Sequence, residues 1–135
     1  MAKTPTSTRP LVIARRILAA FLVAHAVAHF VGTTGALDAA RHGGELPLLG
    51  GARTADDTVP LVVLAVAWAV VGFAYVALSV PVWRGTAFSR PALLLVTGAS
   101  IVLSTIGLWA SATGFAIDVV LLVLVSLSPN LAARW

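Results

Sequence analysis

Four apolar runs decide what this chain can become. They cover Leu11 to Val31, Val59 to Val80, Pro91 to Trp109 and Phe115 to Leu127. A hydrocarbon core about 30 Å thick takes about 20 helical residues to cross. The first three runs reach that length directly, and the last does so by lengthening at its ends. The spans therefore fall at about 11–31, 59–80, 91–109 and 112–128, with 32–58 as the one substantial outer loop. Composition agrees: 59 % of the 135 residues are hydrophobic and 10 % are charged, with a mean hydropathy of +0.99. A water-soluble domain of this size cannot bury so much apolar surface. An isolated spanning segment must satisfy its own backbone, so each run is expected to be helical. The expected fold class is an all-α integral membrane protein, a four-transmembrane-helix bundle in a single domain over 1–135.

The ends of the runs are punctuated. In "DDTVP", Asp57 or Thr58 can cap the first free amides and Pro60 fits the first turn; "SRP" opens the third run in the same way, and Pro129 ends the fourth. Charge then orients the bundle. With the N-terminus inside, Lys3, Arg9, Arg15, Arg16, Arg84, Arg90 and Arg134 lie on the inner side with no acid among them. The outer segments carry Arg41 and Arg53 against Asp38, Glu45, Asp56 and Asp57. That is the positive-inside pattern, so the expected topology is N-in/C-in, multi-pass, with Trp83 beside Arg84 and Trp135 beside Arg134 as interfacial anchors. The Ala-rich, Arg-over-Lys composition associates the chain with a bacterial cytoplasmic (inner) membrane. "AHAVA" can also be read as a signal peptidase site after Ala26 or Ala28, but the apolar run continues to Gly32 and favours a retained span.

Two functional classes drop out. The net charge of +4 comes from bases at span boundaries rather than from a basic face interleaved with aromatics, so no nucleic-acid partner is expected. The absence of cysteine removes disulfides, thiol redox chemistry and thiolate metal sites.

Within "FLVAHAVAHFVG" stand His25 and His29, four residues apart on one helical face. Ionisable groups at such depth are rare and normally face a bundle interior or a wet cavity. Ala20, Ala24, Ala28 and Gly32 recur every four residues beside them. Such a small-residue ridge lets another helix approach, whether from this chain, a second copy or a partner membrane protein. Counting about 1.5 Å of rise per residue brings His25, His29, Trp68, Ser104, Thr105 and Asp118 to similar heights. Each span thus offers a polar or amphipathic group to one layer. A buried Asp needs a partner, and a histidine paired with it can act as an oriented base or proton relay. His29 with Asp118 is the expected catalytic or polar centre, with His25 beneath, Trp68 as a wall and Ser104 and Thr105 as further binding groups. Two imidazoles without a third ligand do not make a metal site, and no metal or cofactor is expected.

In the outer loop, "LPLLGG" is too apolar to lie free in water. Leu46, Leu48 and Leu49 are expected to fold back onto the bundle mouth, with Gly43, Gly44, Gly50 and Gly51 as turns and Glu45 near the polar layer.

"HAVAHFVG", "LLGG" at 48–51 followed by an apolar span carrying Trp68 and Phe73, and "GFAIDVVLLVL" around Asp118 together resemble an uncharacterised family of small four-helix bacterial inner-membrane proteins. The resemblance covers most of the chain and implies a fold without an activity. A looser similarity to DoxX-like proteins lies in size and topology only.

The sequence thus points to a membrane protein that binds a small lipophilic ligand in an outer-leaflet pocket between spans one and four, under the long loop. Two alternatives stand beside it. One is a membrane-embedded isomerase or hydrolase using a His–Asp pair. The other is an accessory subunit of a membrane complex, which would turn Ala24 and Ala28 outward and have no cavity.

Overall fold

The computed structural model describes residues 9–86 and 90–127. Lys3, Pro129, Arg134 and Trp135 lie outside the described residues, as do the side chains of Arg9 and Trp109. Four helices dominate: α1 (Arg9–His42), α2 (Thr58–Arg84), α3 (Arg90–Ile106) and α4 (Leu108–Leu127). Between α1 and α2 lies a small antiparallel hairpin of β1 (Leu46–Leu48) and β2 (Arg53–Ala55), with Leu46 opposite Ala55 and Leu48 opposite Arg53. Two helices, α1 from Val12 and α2, are long and apolar enough to cross a membrane; α3 and α4 are shorter apolar helices.

Several boundaries differ from the sequence expectation, each for a local reason. Residues 32–42, expected in the loop, continue α1. Nothing in that stretch breaks a helix until Gly43, which takes a left-handed φ of 66° while the Gly44 N–H returns to the Ala39 carbonyl at 2.8 Å. With 34 residues, α1 is about 51 Å long, well over one hydrocarbon thickness. Helix α2 runs past Val80 through Pro81 and stops at Gly85, also left-handed, with Thr86 N–H bonded to the Pro81 carbonyl at 3.1 Å. Asp57 occupies the N-cap of α2, but its side chain makes no capping hydrogen bond. Helix α3 ends at Ile106 rather than 109, and α4 begins at 108 rather than 112, with only Gly107 between them.

The buried positions explain how the helices pair. On α1 they fall at Ala19, Leu22, Ala26, His29 and Ala36; on α2 at Leu61, Leu64, Trp68, Val71, Tyr75 and Val82. These alternate by threes and fours, the seam that packs helices at a shallow left-handed crossing. Helix α3 continues the pattern with Leu93, Thr97, Ser100 and Ser104, and α4 with Asp118, Leu121 and Val125. Glycine sets the closest approaches. A Cβ at Gly72 would lie 3.0 Å from the Phe30 ring and 3.3 Å from His29 Cβ, so α1 and α2 meet tightly there.

The expected ridge does not serve as that contact. Gly32 faces Trp68, but Ala20, Ala24 and Ala28 are exposed. Helix α1 packs mainly on α2, and α3 on α4, while the backbones of α1 and α4 scarcely approach each other. The bundle is open along that one edge.

The outside of the bundle is apolar. Ile17, Val27, Val31, Val63, Phe73 and Leu95 are each more than half exposed. Basic groups gather at one end. Arg16 lies over the Trp83 ring at 5.5 Å, the Arg15 guanidinium packs on Gly85, and Arg90 bonds the carbonyls of Val125 and Ser126 at 3.1 and 3.0 Å. At the other end the hairpin lies against α4 and the end of α3, with Leu46 and Leu48 packed on Ala36, Leu64 and Trp68. Leu49 does not join them. It is about half exposed with a positive φ of 51°, because the turn through Gly50 and Gly51 holds it outward.

Candidate functional site

The polar residues of all four helices meet at one carboxylate. Asp118 is fully buried, and four donors reach its two oxygens. His25 Nε2–H donates to Oδ1 at 2.7 Å and the Tyr75 hydroxyl to the same oxygen at 2.9 Å. Ser100 and Ser104 hydroxyls donate to Oδ2 at 2.6 and 3.3 Å. Two donors per oxygen fill the acceptor capacity of a carboxylate. Asp118 therefore holds its neighbours in place rather than meeting a ligand.

The remaining protons follow from this. Because the Ser100 proton goes to Asp118, its oxygen accepts from His29 Nε2–H at 2.8 Å. His29 is thus tied to Asp118 through Ser100, not directly. The sequence expectation of a His29–Asp118 pair is corrected here: His25 is the direct partner. The reason is height, since His25 sits one turn deeper on α1, level with Asp118. The Tyr75 ring stands between the imidazoles, edge-on to His25 at 4.9 Å and stacked on His29 at 5.7 Å. Its hydroxyl also lies 3.4 Å from Thr97 Oγ1.

Within this network one buried side-chain nitrogen is left over. His25 is 4 % exposed, yet its Nδ1 has no hydrogen-bond partner. Buried polar atoms are normally satisfied, and the residue that carries this orphan also lines a cavity, which makes it a candidate ligand site. With Nε2–H committed to Asp118, Nδ1 carries the lone pair, the tautomer in which a carboxylate-oriented imidazole accepts a hydrogen bond or a proton.

A cavity of about 270 Å³ adjoins this group, lined by His25, His29, Trp68, Ser104, Gly114 and, from the hairpin, Leu46. Its walls are mostly apolar, as in sites for small lipophilic molecules. Trp68 forms a wall in an unusually fixed way. Cβ atoms at Gly32 and Gly107 would come within 3.0 and 2.8 Å of the indole, so a glycine of α1 and the glycine between α3 and α4 both pack closely on it.

Two expected binding residues lie elsewhere. Thr105 is exposed and bonds the Ile101 carbonyl of its own helix at 2.7 Å, because the α3 seam passes through Ser104 and turns Thr105 outward. Glu45 is exposed before the hairpin and makes no part of the polar layer. Tyr75, Thr97 and Ser100 were not anticipated. The three-four spacing of Thr97, Ser100 and Ser104 was the available signal for α3, and Tyr75 is the single tyrosine of the chain. Among the described residues no cluster of three or more His, Cys, Asp or Glu is placed to hold a metal ion.

Comparison with protein-family models, with curated proteins and with solved structures finds no match.

Proposed function

We propose that this chain is a four-span bundle of a bacterial cytoplasmic membrane, with both termini inside, that binds a small lipophilic molecule beside His25. The membrane reading is supported by the apolar outer surface and by the gathering of Arg15, Arg16, Arg84 and Arg90 at one end.

One observation carries the binding reading: an imidazole pinned by Asp118 at 2.7 Å, with its other nitrogen unpartnered, next to an apolar cavity. A network with four polar side chains on one carboxylate is costly to assemble in an apolar bundle.

The test is native mass spectrometry of the protein released from its own membranes, comparing wild type with the cavity-filling variant Gly114→Leu. A small adduct on the wild type that is lost in the variant is expected. Absence of any adduct, with no stabilisation by lipid extract, favours the accessory-subunit reading, in which Ala20, Ala24 and Ala28 receive a partner helix.

The Asp118–His25 dyad supports a second reading, a membrane isomerase or hydrolase with His25, rather than His29, as the base. Turnover of the identified ligand, lost in His25→Gln, separates enzyme from binding protein.

A further inference from the structure

The open edge between α1 and α4 bears on what the ligand is. A second hollow, of about 390 Å³, lies in this seam and shares His25, Ala28, Val31 and Gly114 with the main cavity. The two hollows lie side by side and share these walls. The lips of the side hollow are small, Ala24 and Ala28 on α1 facing Thr113 and Gly114 on α4. Further along the same seam Ile17, Phe21, Val120 and Leu124 line an apolar groove of about 260 Å³, which shares Phe21 with the hollow.

Depth and charge narrow the chemistry. His25 stands about 14 Å along α1 from Arg16, roughly half of a hydrocarbon core about 30 Å thick. A molecule whose ionic head stays at the membrane surface cannot bring that head to His25. No Lys or Arg lines either hollow, so a phosphate or carboxylate would meet only the Asp118 charge, already supplied with four donors. The unfilled atom is His25 Nδ1, which is an acceptor in the neutral imidazole that gives its Nε2–H to Asp118. It calls for a neutral donor on an otherwise hydrocarbon body.

We infer that the molecule bound beside His25 is a neutral long-chain alcohol or phenol that enters sideways from the bilayer between α1 and α4, its hydroxyl donating to His25 Nδ1 and its chain lying in the seam. This rests on the binding reading above and adds the head group and the route.

The experiment uses the full chain in nanodiscs with Trp83, Trp109 and Trp135 replaced by Phe, so that Trp68 alone reports. The probes are 9,10-dibromooctadecan-1-ol, its methyl ether and 9,10-dibromostearic acid, whose bromines quench indole fluorescence at short range. One hydrogen bond to a buried acceptor corresponds to roughly a tenfold difference in affinity. The alcohol is expected to quench saturably at about tenfold lower mole fraction than the ether or the acid. Ala24→Phe with Thr113→Phe, positions that line the side hollow and not the main cavity, should slow the onset of quenching about tenfold. Equal saturable quenching by alcohol and ether, or stronger quenching by the acid, overturns the head-group assignment and leaves the binding reading standing. Unchanged onset in the plugged variant overturns the sideways route. No saturable quenching by any probe removes the binding reading itself.

Discussion

His25 Nε2 and Asp118 Oδ1 lie 2.7 Å apart although 93 residues separate them in the chain. This contact joins the first helix to the last across the one edge where their backbones do not pack. A polar bond therefore substitutes for apolar packing along that seam. Charge-assisted bonds of this kind are about twice as strong as neutral ones.

Asp118→Asn tests how completely the network depends on a carboxylate. The amide keeps the shape but brings its own donors to a position where four others converge, so one face must go unsatisfied. Unfolding in detergent should become easier by roughly 1–3 kcal/mol. A double-mutant cycle of His25→Ala with Asp118→Ala should return a coupling of about 0.5–3 kcal/mol. Strict additivity would mean the contact is not energetically real.

Tyr75→Phe removes one of two donors at Oδ1 and leaves the ring stacked on His29. His25 still serves that oxygen. The cost should be close to the average for an interhelical bond in a membrane, about 0.6 kcal/mol, clearly smaller than that of Asp118→Asn in the same assay.

The glycines separate into two groups. Gly35 and Gly98 are helical with open space where a Cβ would go, so Gly→Ala should stabilise each helix by about 0.5–1 kcal/mol. Gly107→Ala would push a methyl into the Trp68 indole, a rigid ring that also packs closely on Gly32. Overpacking of this kind costs about 1–3 kcal/mol. Thermal unfolding followed by Trp fluorescence should show opposite signs for Gly98→Ala and Gly107→Ala, with a shifted emission maximum only in the second.

Arg90 closes the end of α4 by donating to the carbonyls of Val125 and Ser126. These are among the last carbonyls of the helix, which have no partner within it. Arg90→Ala should raise hydrogen exchange in the last turn of α4 several-fold and leave α1 and α2 unchanged. Equal exchange in wild type and variant would show that the caps are made by water instead.

The proposed topology is simple to probe because the chain contains no cysteine. A single cysteine at Ala52 should react with a membrane-impermeant maleimide on intact spheroplasts. One at Thr86 should react only after permeabilisation. The reverse pattern would invert the bundle, and labelling of both from one side would exclude a membrane-spanning α2.

Much of the architecture was legible in one dimension. Apolar runs of helix length gave the four helices, and glycine and proline marked their ends to within a few residues, except where 32–42 offered no breaker and α1 simply continued. Asp118 and the histidines stood out because ionisable groups in apolar surroundings are few. Trp68 was identified as a wall, but its seat against Gly32 and Gly107 depends on residues 75 positions apart meeting on one ring. Pairing was not legible, because His25 and His29 occupy the same face of α1 and differ only by one turn. Which of them meets Asp118 depends on the relative height of α1 and α4, and no local signal encodes that height. The same is true of Ser100, which is one seam position among several small polar residues until its helix is docked. Composition and periodicity thus determined which segments form helices and which rare polar groups must be buried, since those properties belong to single helices. Only the tertiary structure decided the bonding order around Asp118, the unpartnered nitrogen of His25 and the open α1–α4 edge, since each depends on how separate helices are set against one another.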